Sequence, residues 1–171
     1  MGNTWRDHAK NNMQADLDRE LEGPIGNRYK ELVEQNKSFT KNLNVSIKIS
    51  GRMEQAQRMT ALTQARAEYT GHDWYIWHTA EDVRVRPSHK NMSGVLCRFS
   101  DPPDPEELIG EESIGRYSPG VSPECRCYAA PVILWKNVTW PHRIYADGRI
   151  QLMSKEEFAY KFHAEKLEYW V

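Results

Sequence analysis

The sequence predicts an α+β fold: N-terminal helices packed on a small, mostly antiparallel sheet, with a long loop and a C-terminal hairpin and helix. Three observations predict it. Up to residue 70 the apolar side chains recur at steps of three and four. After it they gather in short aromatic and β-branched runs, the composition of strands. Between two of those runs lies a stretch broken by prolines and glycines, residues 100–124, too irregular for either element.

The elements follow in order. Residues 4–22 form a polar helix with Thr4 as cap, Gly23-Pro24 as stop and a thin stripe of Trp5, Met13, Leu17 and Leu21. A second helix covers residues 27–37, with Tyr29, Leu32 and Val33 inward. The third, residues 47–69, has the strongest pattern (Ile49, Met53, Ala56, Met59, Leu62, Ala65, Tyr69) and a C-terminal cap at Gly71. Residues 73–79 read as a strand, 83–86 as a turn stopped by Pro87, 88–92 as a single helical turn, and 94–99 as a second strand. The loop of residues 100–124 is long enough to be functional or pinned at its base. Residues 127–135 give a third strand. Asp147-Gly148 between alternating apolar residues is a hairpin signal, and Ser154-Lys155-Glu156-Glu157 opens a last helix reaching about residue 169. The expected organisation is an N-terminal helical arm (1–44), a central domain (45–135), and a hairpin and helix (136–171) closing the same core.

Composition sets the bounds. The chain has 171 residues, with 23 Lys plus Arg against 24 Asp plus Glu, so a net charge of −1 provides no global field for nucleic acid. Mean hydropathy is −0.77, and the core has to draw on six Trp and eight Tyr. No run is long enough to span a bilayer and no basic-then-apolar leader opens the chain, so a soluble protein with no membrane partner is expected. Three cysteines, an odd number, argue against a secreted disulfide framework and for metal binding or free thiols.

All three cysteines lie between residues 77 and 131, with His78 and His89. Cys97, Cys125, Cys127 and His89 are ligand types that zinc prefers, and a tetrahedral Cys3His site would tie both ends of the long loop to the sheet. Small thiols also serve as core hydrophobes, and spacing leaves both readings open. A thiol nucleophile from Asp82, His89 and Cys125, or a catalytic metal held by Asp82, His78 and His89, can also be drawn, though no spacing enforces either. Arg84, Arg86 and Arg98 make a small positive patch, for which a salt-bridged surface is the simpler account.

The series Trp77-x-Thr79-x-x-Asp82-x-Arg84-Val85-Arg86-x-x-His89, then Gly94, Pro102-Pro103, Cys125-Arg126-Cys127 and Pro131-Val132 resembles the phage Mu F-like minor head protein family, the phage head morphogenesis domain. Arg52-Met53-Glu54 resembles the family's Arg-Thr-Glu on the preceding helix, with Met in place of Thr. Many members carry Cys-x-x-Cys where this chain has Arg86-Pro87-Ser88-His89, so the resemblance aligns His89 with a cysteine, an exchange that metal ligation permits. Many also carry a His-Pro ahead of Cys-Arg-Cys, where this chain has Ser122-Pro123. With those two ligand positions lost, Cys97 is the substitute.

The resemblance implies a structural, non-enzymatic virion component of a tailed phage. It would lie inside the head near the portal after assembly in the host cytoplasm, touching portal or inner capsid proteins and genomic DNA, and in some relatives it leaves with the DNA. A structural zinc is the expected cofactor. Two alternatives stand beside this: a small metal-dependent nuclease or transferase using His89, Asp82 and the arginines, and a zinc-stabilised binding module with a partner outside the virion.

Overall fold

Trp77 and Tyr75 lie on an interior strand, next to one edge, of a mixed, mostly antiparallel five-stranded sheet that the rest of the chain covers from both sides. The computed structural model describes residues 4–43 and 51–163, without the side chains of residues 4–8, 11 and 52. The elements are α1 (Thr4–Leu21), α2 (Pro24–Asn42), α3 (Gly51–Thr70), β1 (Trp74–His78), α4 (Pro87–Met92), β2 (Leu96–Arg98), β3 (Tyr128–Pro131), β4 (His142–Ala146), β5 (Arg149–Met153) and α5 (Lys155–Lys161). The sheet order is β3-β1-β2-β4-β5, with β2 and β4 parallel and the other pairs antiparallel. The fold is α+β, as the sequence predicts.

Strand parity divides the core in two. Tyr75, Trp77, Cys97 and Tyr145 point to one face and pack with Val95, Phe99, Tyr117, Val121, Cys125 and Cys127. Trp74, Ile76, Leu96 and Ile144 belong to the other, built on Trp135, Met153 and Phe158. Phe158 is fully buried, its ring centroid 4.9–5.1 Å from those of Trp74, Trp135, Trp140 and Phe162 in edge or tilted arrangements. Each such pair is worth about 1 kcal/mol beyond its burial.

Several boundaries move for identifiable reasons. Pro24 opens α2 rather than only ending α1, because its missing N–H costs nothing in the first turn. At the end of α3, Gly71 takes φ 75° and the His72 N–H reaches the Ala67 carbonyl at 2.8 Å, closing the cap that the glycine predicts. β3 stops at Pro131, which is tolerated because β3 is an edge strand, and Trp135–Asn137 then turns as a 3-10 helix. Asp147 and Gly148, at φ 53° and 73°, form the two-residue turn between β4 and β5. Ser154 and Glu157 cap α5 reciprocally. The predicted parts of α3 before residue 51 and of the last helix beyond 163 lie outside the described residues.

The inward face of α3 keeps Met53 and Ala65 of the stripe that hydrophobic periodicity selects but not Met59 and Tyr69. Met59 and Tyr69 are 55% and 65% exposed, whereas Gln57 and Thr60 are buried beside Met53, Ala61 and Ala65. Thr60 Oγ1 donates to the Pro119 carbonyl at 2.6 Å, and Gln57 Nε2 to that of Val121 at 3.1 Å. Both polar side chains therefore satisfy buried loop carbonyls, which cost most when left without a donor. Gly120 shows how close this packing is. It has φ 84°, and an added Cβ would sit 3.0 Å from the carbonyl oxygens of Ala56 and Cys127. The loop of residues 100–124 is thus held against α3 along its second half, not only at its ends. Toward the N-terminus, Arg28 pairs with Glu68 and Arg66 with Glu20, tying α2 and α1 to α3.

Candidate metal centre

Cys125 and Cys127 flank an outward-turned Arg126 where the long loop enters β3, so alternation aims both thiols at the same face. His89 comes from α4, a short helix started by Pro87. The His89 Nδ1 lies 3.4 Å from Cys125 Sγ and 3.5 Å from Cys127 Sγ. All three donor atoms fall within 4.8 Å of one another, and the residues are 3%, 3% and 2% exposed.

The surroundings turn an imidazole lone pair toward the two sulfurs. His89 Nε2 is 2.9 Å from the Tyr117 hydroxyl, which is 2.8 Å from each oxygen of the buried Glu106 carboxylate. Tyr117 has one proton, and the carboxylate accepts it. His89 Nε2–H therefore donates to the phenolic oxygen, leaving the Nδ1 lone pair toward the sulfurs. Ser88 Oγ donates to Glu106 as well, at 3.1 Å. Burial and the neighbouring Glu106 push the Tyr117 phenol far up, which keeps its proton in this chain. Backbone N–H groups of Gly120 and Cys127 donate to Cys125 Sγ at 3.3 and 3.4 Å. The Cys127 thiol, donating to Cys125, holds it well below the usual thiol range, while Cys127, beside that thiolate and buried, is pushed up. Trp77 Nε1–H is buried with no hydrogen-bond partner among the described residues.

Three of the four expected ligands therefore meet, and Cys97 does not join them. It pairs with Tyr75 on β1, whereas Cys127 lies one step beyond the His78–Tyr128 pair. That is four residues along β1, about 13 Å at the rise of a strand. Cys97 Sγ instead contacts the Val95 carbonyl at 3.7 Å, and burial pushes its thiol up. It is a core thiol.

Asp82 is likewise not the group that orients His89. It accepts from the Arg84 backbone N–H at 3.0 Å and pairs with the Arg126 guanidinium at 2.7 and 2.8 Å, and these contacts hold its carboxyl well below the usual range. Arg84 completes that group at 3.2 Å. His78 stacks on Tyr128, with ring centroids 5.1 Å apart. Glu54 pairs with Arg58 on its own helix, and the Arg52 side chain lies outside the described residues. Thr79 contacts Ser93, and Gly94, at φ 73°, donates its N–H to the Trp77 carbonyl, so both shape the turn beside the cluster. Sequence reasoning missed Glu106 and Tyr117. They sit in an acidic, proline-rich loop where no local pattern distinguishes a buried carboxylate from a solvated one.

Above the donors opens a cleft of about 400 Å³, lined by His89, Cys125 and Cys127 with Arg84, Arg86, Glu124 and Arg126. Arg86 donates to Ser122 Oγ at 3.3 Å and to the Pro123 carbonyl.

Residues 21–130, which include every member of this cluster, match the family model described as phage Mu protein F like protein. The chain belongs to this family. Among relatives of this Mu F-like chain is a Haemophilus influenzae (strain ATCC 51907 / DSM 11121 / KW20 / Rd) protein described as an uncharacterized protein, 31% identical over 108 residues. The match covers 63% of this chain and 22% of that protein, so the chain spans about a fifth of its length. No solved structure matches. Among the described residues, no helix of this family member is long and apolar enough to cross a membrane.

Proposed function

We propose that this chain is a structural head protein of a tailed phage, acting in capsid assembly at or near the portal and contacting portal or inner capsid proteins. The observation that carries the reading is membership of the Mu F-like family across residues 21–130. Presence inside the head, contact with genomic DNA and departure with it at ejection belong to the same proposal. The protein acts by binding, without turnover. Purified virions should contain the protein, and a chain lacking residues 1–22 should fold yet stay out of capsids. Normal incorporation of the shortened chain would overturn the docking role given to the N-terminal helix.

Within that role, His89 Nδ1, Cys125 Sγ and Cys127 Sγ would hold one zinc ion. Two thiolates and an imidazole suit zinc, and the Tyr117–Glu106 chain behind His89 supplies the outer hydrogen bonds that such ligands use. The Trp77 N–H, buried with no hydrogen-bond partner among the described residues, would be available to a metal-bound sulfur at Cys127. The ion would cross-link α4 to the junction of loop and β3. Elemental analysis of protein purified without chelator tests this, with about one equivalent expected and under about a tenth contradicting it.

One contact favours a second reading. Cys125 Sγ and His89 Nδ1, 3.4 Å apart, could serve as a nucleophile and base in a thiol enzyme. Rapid alkylation of Cys125 in protein as purified, with no zinc present, would favour it over the metal site.

A further inference from the structure

We propose that the cleft above His89, Cys125 and Cys127 takes a carboxylate side chain of a partner protein, which enters between Arg84, Arg86 and Arg126 and completes the coordination of the metal. The inference rests on the three-donor metal reading and adds the chemistry of what binds there.

Zinc takes four ligands at structural sites, and the described residues bring three of the usual donors together. The cleft reaches all three, so the fourth position has an approach from outside the fold. Its walls are cationic. Three arginines line it against one glutamate, Glu124, and Asp82 behind the wall pairs with two of those arginines. Arg86, by contrast, is held by a hydroxyl and a carbonyl and has no carboxylate within 4 Å among the described residues. An entering carboxylate would give its guanidinium the charged partner it lacks. The wall already displays the geometry: Arg126 grips Asp82 through two nitrogens, at 2.7 and 2.8 Å.

A carboxylate is favoured over a nucleic-acid phosphate on two grounds. The donors are almost fully buried on the cleft floor, within reach of a slender side chain but not of a duplex backbone. The chain's net charge of −1 also provides no wider field to hold a polyanion.

The test uses the full chain loaded with cobalt(II), whose visible spectrum reports the ligands. Acetate, inorganic phosphate and a short single-stranded oligonucleotide are titrated separately. Acetate should change the spectrum saturably. Arg86→Gln should weaken that response about tenfold, the cost of one lost charge-assisted hydrogen bond, while taking up cobalt normally. Arg84→Gln, at an exposed side chain, should weaken it in the same direction and less, and stands in if the Arg86 variant misfolds. Cobalt uptake with no response to acetate overturns the proposal alone, as does a stronger response to phosphate or oligonucleotide. A changed spectrum in Glu124→Gln before any acetate is added also overturns it, because the fourth ligand would then be Glu124. Failure to take up cobalt removes the metal reading and this inference with it.

Discussion

The two faces of the sheet are buried to similar depth by opposite means. On one, Phe158 sits among Trp74, Trp135, Trp140 and Phe162, and nothing at the contact needs a hydrogen bond except the indole edges. On the other, His89, two cysteines, Tyr117, Glu106 and Ser88 are packed out of water with each polar atom aimed at a neighbour. An aromatic face gains stability from area removed from water and tolerates some looseness. A buried polar face is stable only when complete, because each group left without its partner costs about 1–3 kcal/mol. The aromatic face should therefore respond to volume, and the polar face to protons, metals and missing partners.

The largest separation should come from a chelator. If zinc joins the three donors, its removal withdraws binding energy on the order of 10 kcal/mol, comparable with the whole stability of a small domain. EDTA should then lower the melting temperature steeply, and Cys125→Ala should melt early without further response. Unchanged melting in EDTA would make the polar face an ordinary core. Phe158→Ala comes next, at about 3–5 kcal/mol for a fully buried ring, and its loss should be the same with and without EDTA. Unequal losses would show that the two faces are coupled through the strands.

A finer test addresses the chain behind the histidine. Glu106→Gln keeps the shape of the Tyr117 contact and removes the charge, and should weaken zinc binding about 10–100-fold, read by competition with a chromophoric chelator. Equal affinity would mean that Glu106 serves the loop rather than the ligand. The smallest effect is expected at Asp82. Arg126 and Arg84 depress its carboxyl, so its contribution is fully present above about pH 4, the unfolded value, and is lost as pH falls below that. Asp82→Asn should flatten part of the acid limb of an unfolding curve and leave neutral-pH zinc content unchanged. An altered zinc content would tie Asp82 to the polar face after all.

Local rules were legible wherever a short stretch satisfies itself. The Asp147-Gly148 turn, the reciprocal cap of Ser154 and Glu157, the Gly71 stop and the alternation of β1 depend on neighbours within a few residues. The Cys125-x-Cys127 spacing also put two ligand types close together, and the motif order from Trp77 to Pro131 carried the family. What failed were inferences needing distance. Gln57 and Thr60 turn inward because loop carbonyls some 60 residues away need donors, which no helical period records.

The sequence by itself determined that strands and helices segregate into an α+β protein, that two thiols lie one residue apart, and that the chain resembles Mu F-like proteins. Tertiary structure decided which thiols meet. Cys97 lies on β2 and Cys127 one residue before β3, and both are buried, yet the register of β1 with its two neighbours sets them about four residues apart along the sheet. It also decided that Glu106, not Asp82, backs the histidine. Register and loop path are fixed by pairings between residues distant in the chain, where one step of slip turns every side chain to the other face.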